Sequence, residues 1–178
     1  MATQSDYNKD RINYLDLITV LKDMGEKHKQ IAQTSSGDIF QIDLDKDTLF
    51  PLFHIQPNSA SVSHGLMKYN FTFFVMDMTL EDRTNEDVVL SHTQNIMTDI
   101  WATLNAVDLE SSGTTWIEET TLLLAHHRDY ELTGMNSRTP TMDCFTERFK
   151  NLLSGWTLNV EIVTKYSGLD CDATVIYD

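Results

Sequence analysis

The alternation of hydrophobic and polar residues is clearest mid-chain, where a strand period gives way to a helical one. Residues Tyr69 to Asp77, here called the aromatic strand, carry on one face Tyr69, Phe71, Phe73 and Val75. The other face carries Asn70, Thr72, Phe74 and Met76. From Asn85 to Ala106 the apolar residues form a helical stripe of Val89, Ile96, Ile100 and Leu104. The pattern predicts a strand and then one long helix, and Thr84 with Asp87 three positions later is close to a capping box at its start.

The residues before the aromatic strand predict a helix, two strands and a loop. An apolar stripe over residues 10–24, stopped by Gly25, is typical of an amphipathic helix. Alternation over Ile39–Leu44 and an apolar run over Leu49–Ile55 each predict a strand. Small polar residues over Pro57–Gly65 predict a loop, so we expect these strands to form an antiparallel meander with the aromatic strand.

The second half of the chain predicts two more strands and a short helix. Trp116–His126 is interpreted as a strand, and residues 127–139 as irregular. After Pro140, helical spacing recurs up to a stop at Gly155, at positions Met142, Phe145, Phe149 and Leu152. Trp156–Thr164 alternates as a strand, and residues 167–178 form an extended C-terminal tail.

These elements predict one α+β domain over residues 1–178, with a mostly antiparallel sheet packed by two to three helices. The strands and helices do not alternate regularly, which argues against a doubly wound parallel sheet.

The charge balance restricts the function more than the apolar content does. The chain has 27 acidic and 13 basic residues, giving a net charge of −14. Such a chain is repelled by phosphate backbones and by anionic membrane surfaces, so we expect neither nucleic-acid recognition nor membrane binding. The isolated cysteines Cys144 and Cys171, and a first segment without the pattern of a secretory signal, predict a reducing, cytosolic environment.

No motif in the sequence carries catalytic or metal chemistry. Asp43 to Asp47 resembles the start of a calcium loop, but Thr48 replaces the required glycine and His54 the bidentate glutamate. The adjacent pair His126 and His127 would face opposite sides of a strand. We therefore predict no catalytic residue, no cofactor and no metal.

Seven segments share their order and spacing with one family: residues 13–17, 37–39, 50–55, 69–77, 91–97, 145–149 and 155–156. On these segments the chain resembles the tail terminators and related neck ring proteins of tailed bacteriophages. The resemblance implies an α+β subunit that closes into a homo-oligomeric ring between portal or connector and tail proteins, with double-stranded DNA passing through without specific binding. It also implies a virion location in the neck or tail, after assembly in the host cytoplasm.

A ring of this kind needs a surface facing its bore or the next ring. We expect that lumen or docking surface in the acidic turn after the aromatic strand, at Asp77, Glu81, Asp82, Glu86 and Asp87. The alternative interpretation is a solvated connection whose carboxylates offset the helix dipole.

Contacts between subunits are expected from apolar residues with no assigned partner. Phe74 and Met76, on the second face of the aromatic strand, are predicted to meet a neighbouring subunit. The tail residues Val175, Ile176 and Tyr177 are predicted to add to a neighbour's sheet edge.

Two other function classes fit the same composition. One is an acidic protein-binding module, such as a nucleic-acid-mimicking inhibitor, which predicts a monomer or dimer. The other is a small enzyme with a site assembled from distant residues, for which His54, His126 and Asp129 are the candidates.

Overall fold

The computed structural model describes residues 14–44, 47–63, 66–105, 141–148 and 152–165. Within them, two helices pack on a five-stranded sheet of order β1-β2-β3-β5-β4. The elements are α1 (Tyr14–Glu26), β1 (Gln33–Ser36), a 3-10 helix (Ile39–Leu44), β2 (Leu52–Ser63), β3 (Leu66–Met78), α2 (Glu86–Asn105), β4 (Met142–Arg148) and β5 (Leu153–Lys165). Only β1 and β2 pair in parallel. The predicted α+β class with a mostly antiparallel sheet is confirmed.

The helices cover one face of the sheet and form the larger core with it. The predicted stripe of α2 is buried at all four positions, and β3 contributes Phe71, Phe73 and Val75 from the predicted face. Phe53 of β2 meets Phe73 edge to face, with 5.4 Å between ring centroids. The Trp156 indole of β5 donates a hydrogen bond to the Leu90 carbonyl at 2.8 Å, which fixes α2 on the sheet.

The opposite face of the sheet has a second, smaller core. Its buried members are Ile39, Ile42, Leu52, Phe74, Met76, Phe145 and Leu153. The predicted strand over residues 39–44 is wrong, because Ile39 and Ile42 are buried three positions apart while Phe40 is 72% exposed. That period matches the three residues per turn of a 3-10 helix.

The predicted loop at residues 57–65 is also wrong, because β2 continues to Ser63. A bulge between Pro57 and Ser59 absorbs one extra residue. The Asn58 amide donates to the Thr72 hydroxyl at 2.8 Å, and the Asn70 amide donates to the Ser59 hydroxyl at 3.2 Å. The polar side chains that indicated a turn are thus engaged in bonds between strands.

The predicted helix after Pro140 is replaced by β4. In a strand, residues three apart face opposite sides, and here both sides are covered. Met142 packs against the helix-side core and Phe145 against the second core. The two glycines interpreted as stops lie inside elements instead: Gly25 within α1 and Gly155 within β5.

Candidate functional site

All five carboxylates predicted to form a lumen or docking surface lie where β3 turns into α2. Asp77 is the second-last residue of β3 and is half-buried, and Glu86 begins α2. Glu81, Asp82 and Asp87 are exposed. We call residues 77–88 the acidic joint.

Hydrogen bonds to neighbouring elements hold the acidic joint in place. The Thr79 amide donates to the Leu152 carbonyl at 2.9 Å, and its buried hydroxyl donates to Ser154 at 2.8 Å. The Asn85 side chain accepts from the Leu80 amide at 2.8 Å and donates to the Met78 carbonyl at 3.2 Å. The joint is therefore fixed to the end of β5 as well as to its own flanking elements.

The tip of the joint has its own turn chemistry. Arg83 has a φ of 59°, in the left-handed region that non-glycine residues enter rarely. Asp82 accepts hydrogen bonds from the Thr84 amide at 3.2 Å and the Thr84 hydroxyl at 2.9 Å. These bonds to the ionised form lower the pKa of Asp82 below its usual value. α2 begins at Glu86 and the Val89 amide donates to the Asn85 carbonyl, so Asn85 occupies the N-cap position that the sequence pattern had given to Thr84.

Exposed apolar side chains lie among the carboxylates. Met78, Leu80 and Val88 are 53%, 55% and 69% exposed. Residues 77–88 contain five carboxylates and one guanidinium, that of Arg83, so their net charge is −4. Apolar side chains with a charged surround are typical of a protein-docking surface.

Sequence reasoning found the carboxylates and missed these three apolar residues. Val88 precedes the stripe residue Val89 and points about 100° away from it around the helix. This position off the buried stripe is a sequence signal that Val88 is exposed. Leu80 stands alone between polar residues, so no periodicity marks it as exposed or buried.

His54, the only one of the three predicted enzyme candidates within the described residues, is 2% exposed in β2. The Ser35 hydroxyl lies 2.8 Å from Nδ1, and the Gly37 carbonyl lies 3.1 Å from Nε2. Nε2 must carry the proton, because a carbonyl only accepts, and Nδ1 then accepts from Ser35. Both ring nitrogens are engaged, so His54 fastens β2 to β1 and the following turn. His126 and Asp129 lie outside the described residues.

Burial lowers the pKa of His54, and the Gly37 bond and nearby Asp38 only partly oppose this. A histidine with a lowered folded-state pKa binds its proton more readily when unfolded. We expect stability to fall as the pH drops below about 6.5, the unfolded value, until it passes the folded-state pKa. His54→Gln, which can accept from Ser35 and donate to Gly37, should show a flatter dependence in denaturant titrations from pH 7 to 5. Equal slopes for parent and variant would contradict this assignment.

An open groove of about 610 Å³ lies between the end of α1 and the last turns of α2. His28 Nε2 lies 3.5 Å from the Asp99 carboxylate across it, and Lys27 and Lys29 are among its lining residues. Within the described ranges, no group of three or more His, Cys, Asp or Glu side chains is placed to hold a metal ion. No helix in the same ranges is long and apolar enough to cross a membrane.

Two of the predicted subunit-contact residues, Phe74 and Met76, lie within the described part of the chain, and both are buried there. Phe74 is 8% exposed and Met76 is fully buried, both within the second core of the same chain. The 3-10 helix and β4 supply their contacts, so these two side chains have an intramolecular role. Val175, Ile176 and Tyr177 lie outside the described residues.

Comparison with known protein families and with curated proteins finds no match for this chain.

Proposed function

We propose that this protein is a structural subunit that closes into a homo-oligomeric ring at the head–tail junction of a tailed bacteriophage, as a tail terminator or connector. The order and spacing of the sequence segments that underlie the resemblance support the proposal. The observation that carries it is the acidic joint, where Met78, Leu80 and Val88 are exposed among five carboxylates. A fixed surface of this composition suits a contact with a neighbouring protein ring.

In such a contact the apolar groups supply affinity and the charged groups supply specificity. Covering exposed apolar area supplies binding free energy of about 25 cal/mol per Å². Surrounding carboxylates steer a basic partner into register and discriminate against acidic ones. Because the turn is fastened to β5 through Thr79, the surface needs little ordering before it binds.

The charge of the subunit suits the passage of DNA. Each Lys–phosphate contact would release counterions and retain the DNA. A net charge of −14 per subunit, repeated around a ring, repels phosphate over the whole bore. The ring accordingly lets DNA pass and does not bind it.

Electron microscopy of the purified full-length protein, combined with light scattering, tests the proposal. We expect annular particles with the mass of many subunits, and unjoined heads and tails in a virus that lacks the protein. A monomer or dimer at every concentration, together with virus particles that assemble normally without it, would refute the proposal. The acidic-inhibitor alternative predicts that outcome together with tight binding to a nucleic-acid enzyme.

Neutralising the exposed carboxylates of the joint should weaken docking. We expect Glu81→Gln with Asp87→Asn to lower the affinity for tails that lack the protein by about threefold to tenfold, because exposed ion pairs contribute about 0.2–1 kcal/mol each. The measurement is co-sedimentation with such tails over a series of salt concentrations. The matched control removes the same charge from exposed residues elsewhere, with Glu26→Gln and Asp143→Asn. Equal weakening in both double variants would show that net charge alone matters.

A further inference from the structure

In the part of the chain that the structure describes, one half of the sheet is three strands wide. β1 pairs with β2 solely over Leu52–Ile55, and β4 reaches no further along β5 than Leu158. Beyond these limits β2, β3 and β5 continue together to Ser63, Leu66 and Lys165. Among the described residues, the outer sides of Pro57–Ser63 and Asn159–Lys165 therefore have no strand partner. We call these two stretches the β2 edge and the β5 edge.

The β2 edge is open to solvent over residues 58–62, which are all exposed. Natural proteins usually shorten, cover or charge a long edge, or interrupt it with a proline or a bulge, because unpaired backbone groups recruit another strand. Pro57 and the bulge beside it interrupt only the start of this edge, so residues 60–62 remain available for pairing. The exposed side chains of the β2 edge carry no charge: Asn58, Ser59, Ala60, Ser61 and Val62.

The pairing register indicates which backbone groups each edge presents. The Ile55 carbonyl accepts from Gly37 at 3.0 Å, so Ile55 directs its backbone groups away from β3. Groups alternate along a strand, so Pro57, which has no N–H, directs its backbone the same way. After the bulge, Ala60 and Val62 lie opposite Tyr69 and Met67 and present N–H and C=O groups outward.

The same alternation shows which backbone groups the β5 edge presents. Phe71 is opposite Pro57 on one side and Val160 on the other. Because Pro57 turns away from β3, Phe71 directs its backbone groups towards Val160. The neighbours of Val160, Asn159 and Glu161, then present their N–H and C=O groups outward.

We propose that the β2 edge of one copy of this chain pairs in parallel with the β5 edge of the next copy. This inference rests on the proposed function, a ring of identical subunits. β2 and β5 both run antiparallel to β3, so they run parallel to each other. A neighbour in the same orientation therefore presents its β2 parallel to β5. Two different edges in contact make a heterologous interface, the type that generates a ring when the rotation between successive subunits closes.

The side chains of the two edges match when Ala60 lies opposite Val160. In that register the Ala60 N–H donates to the Asn159 carbonyl, and the Glu161 N–H donates to the Ala60 carbonyl. Val62, 63% exposed, then lies beside Ile162 on the helix side of the sheet. Ser61 lies beside Glu161 on the polar side, where Thr72 donates to Asn159 at 2.7 Å. In the joined sheet, apolar residues therefore lie beside apolar ones on the helix side, and polar residues lie beside polar ones on the other side.

Disulfide cross-linking of the full-length chain tests the register. Ser61→Cys with Glu161→Cys, in a background with Cys144→Ser and Cys171→Ser, should give a ladder of covalent multimers under mild oxidation. Opposed residues on paired strands lie within the Cα separation of about 4.4–6.8 Å that a disulfide needs. Neither single cysteine should cross-link. Dimers formed by Ser61→Cys alone would indicate a two-fold β2–β2 contact and overturn the proposal.

A proline at the edge supplies an independent test. Ala60→Pro removes an outward N–H without removing a bond to β3, so the monomer should retain its fold. We expect the concentration for half-assembly to rise at least about tenfold, whereas Ala60→Ser, which keeps the N–H, should match the parent. If Ala60→Pro prevents folding, the cross-link alone decides.

The possible failures are distinguishable. A parent protein with the mass of one subunit at every concentration, and no rings by microscopy, refutes the ring and the edge pairing together. Rings without the Ser61–Glu161 cross-link refute the edge pairing alone. Loss of the cross-link on deleting residues 167–178, with rings retained, would assign the edge contact to the tail and also refute it.

Discussion

Replacing Gly155 with alanine should destabilise the protein severely. A Cβ at this position would lie 2.0 Å from the Val75 carbonyl oxygen and 2.9 Å from the Met76 Cα. Both atoms are backbone of the central strand β3, which cannot move without breaking its ladders to β2 and β5. We expect a loss of about 3 kcal/mol or more, a large part of the stability of a domain this size. Circular dichroism during thermal unfolding measures it.

Gly25→Ala provides the matched comparison for that substitution. Its Cβ would lie 2.5 Å from the Phe53 Cδ1 and from the Thr34 hydroxyl, which are side-chain and not backbone atoms. The helix also gains about 1 kcal/mol from the exchange of glycine for alanine. We expect Gly25→Ala to unfold cooperatively at a reduced temperature. A Gly155→Ala protein that is the more stable of the two would contradict the close approach of β5 to β3.

Phe74→Ala should destabilise the protein by about 3 to 5 kcal/mol, as truncation of a buried phenylalanine does. The Phe74 ring lies 6.3 Å from that of Phe145 and 6.1 Å from that of His54, both in the same chain. The loss should therefore be independent of protein concentration. Urea unfolding at several protein concentrations measures both quantities.

The control for Phe74→Ala is Met78→Ala, four positions further along the same face of β3. Met78 is 53% exposed, so its truncation should change the free energy of unfolding by no more than about 0.5 kcal/mol. If the unfolding midpoint of Phe74→Ala rose with protein concentration more steeply than that of the parent, Phe74 would contribute to a subunit contact, as its sequence pattern predicts.

The sequence predicts an element well where one periodicity continues over many residues. α2 runs 20 residues with a single stripe, and its predicted bounds differ from the observed ones by a residue at each end. In β3 the alternation is equally regular, and each face meets a different core, as the two sets of side chains indicate.

Short segments were mispredicted because their spacing fits two structures. Ile39 and Ile42 fit a 3-10 turn, whereas the alternation of Phe40, Ile42 and Leu44 also fits a strand. Met142 and Phe145, three apart, fit a helix until both faces of the sheet are known to be covered. β1 consists of Gln-Thr-Ser-Ser, which has no hydrophobic pattern, and it forms because it pairs with β2.

The carboxylates of the candidate site could be predicted because they are contiguous in sequence. The open edges could not be, since they arise from unequal strand lengths: β1 has 4 residues and β2 has 12. That difference in length becomes visible only when the two strands are paired, so neither segment predicts it alone. The polar composition of residues 57–63, which suggested a loop, belongs to an exposed strand edge.

The fastening of Thr79 and Asn85 has a mechanical consequence. A neighbour that pulls on the acidic joint transmits its load through the Thr79–Ser154 and Thr79–Leu152 bonds into β5, and through Asn85 into β3. The load is therefore divided between β3 and β5, which pair with each other from Leu66–Lys165 to Met78–Leu153. A flexible connection would concentrate the same load on one covalent path. This turn is built as a rigid coupling between helix and sheet.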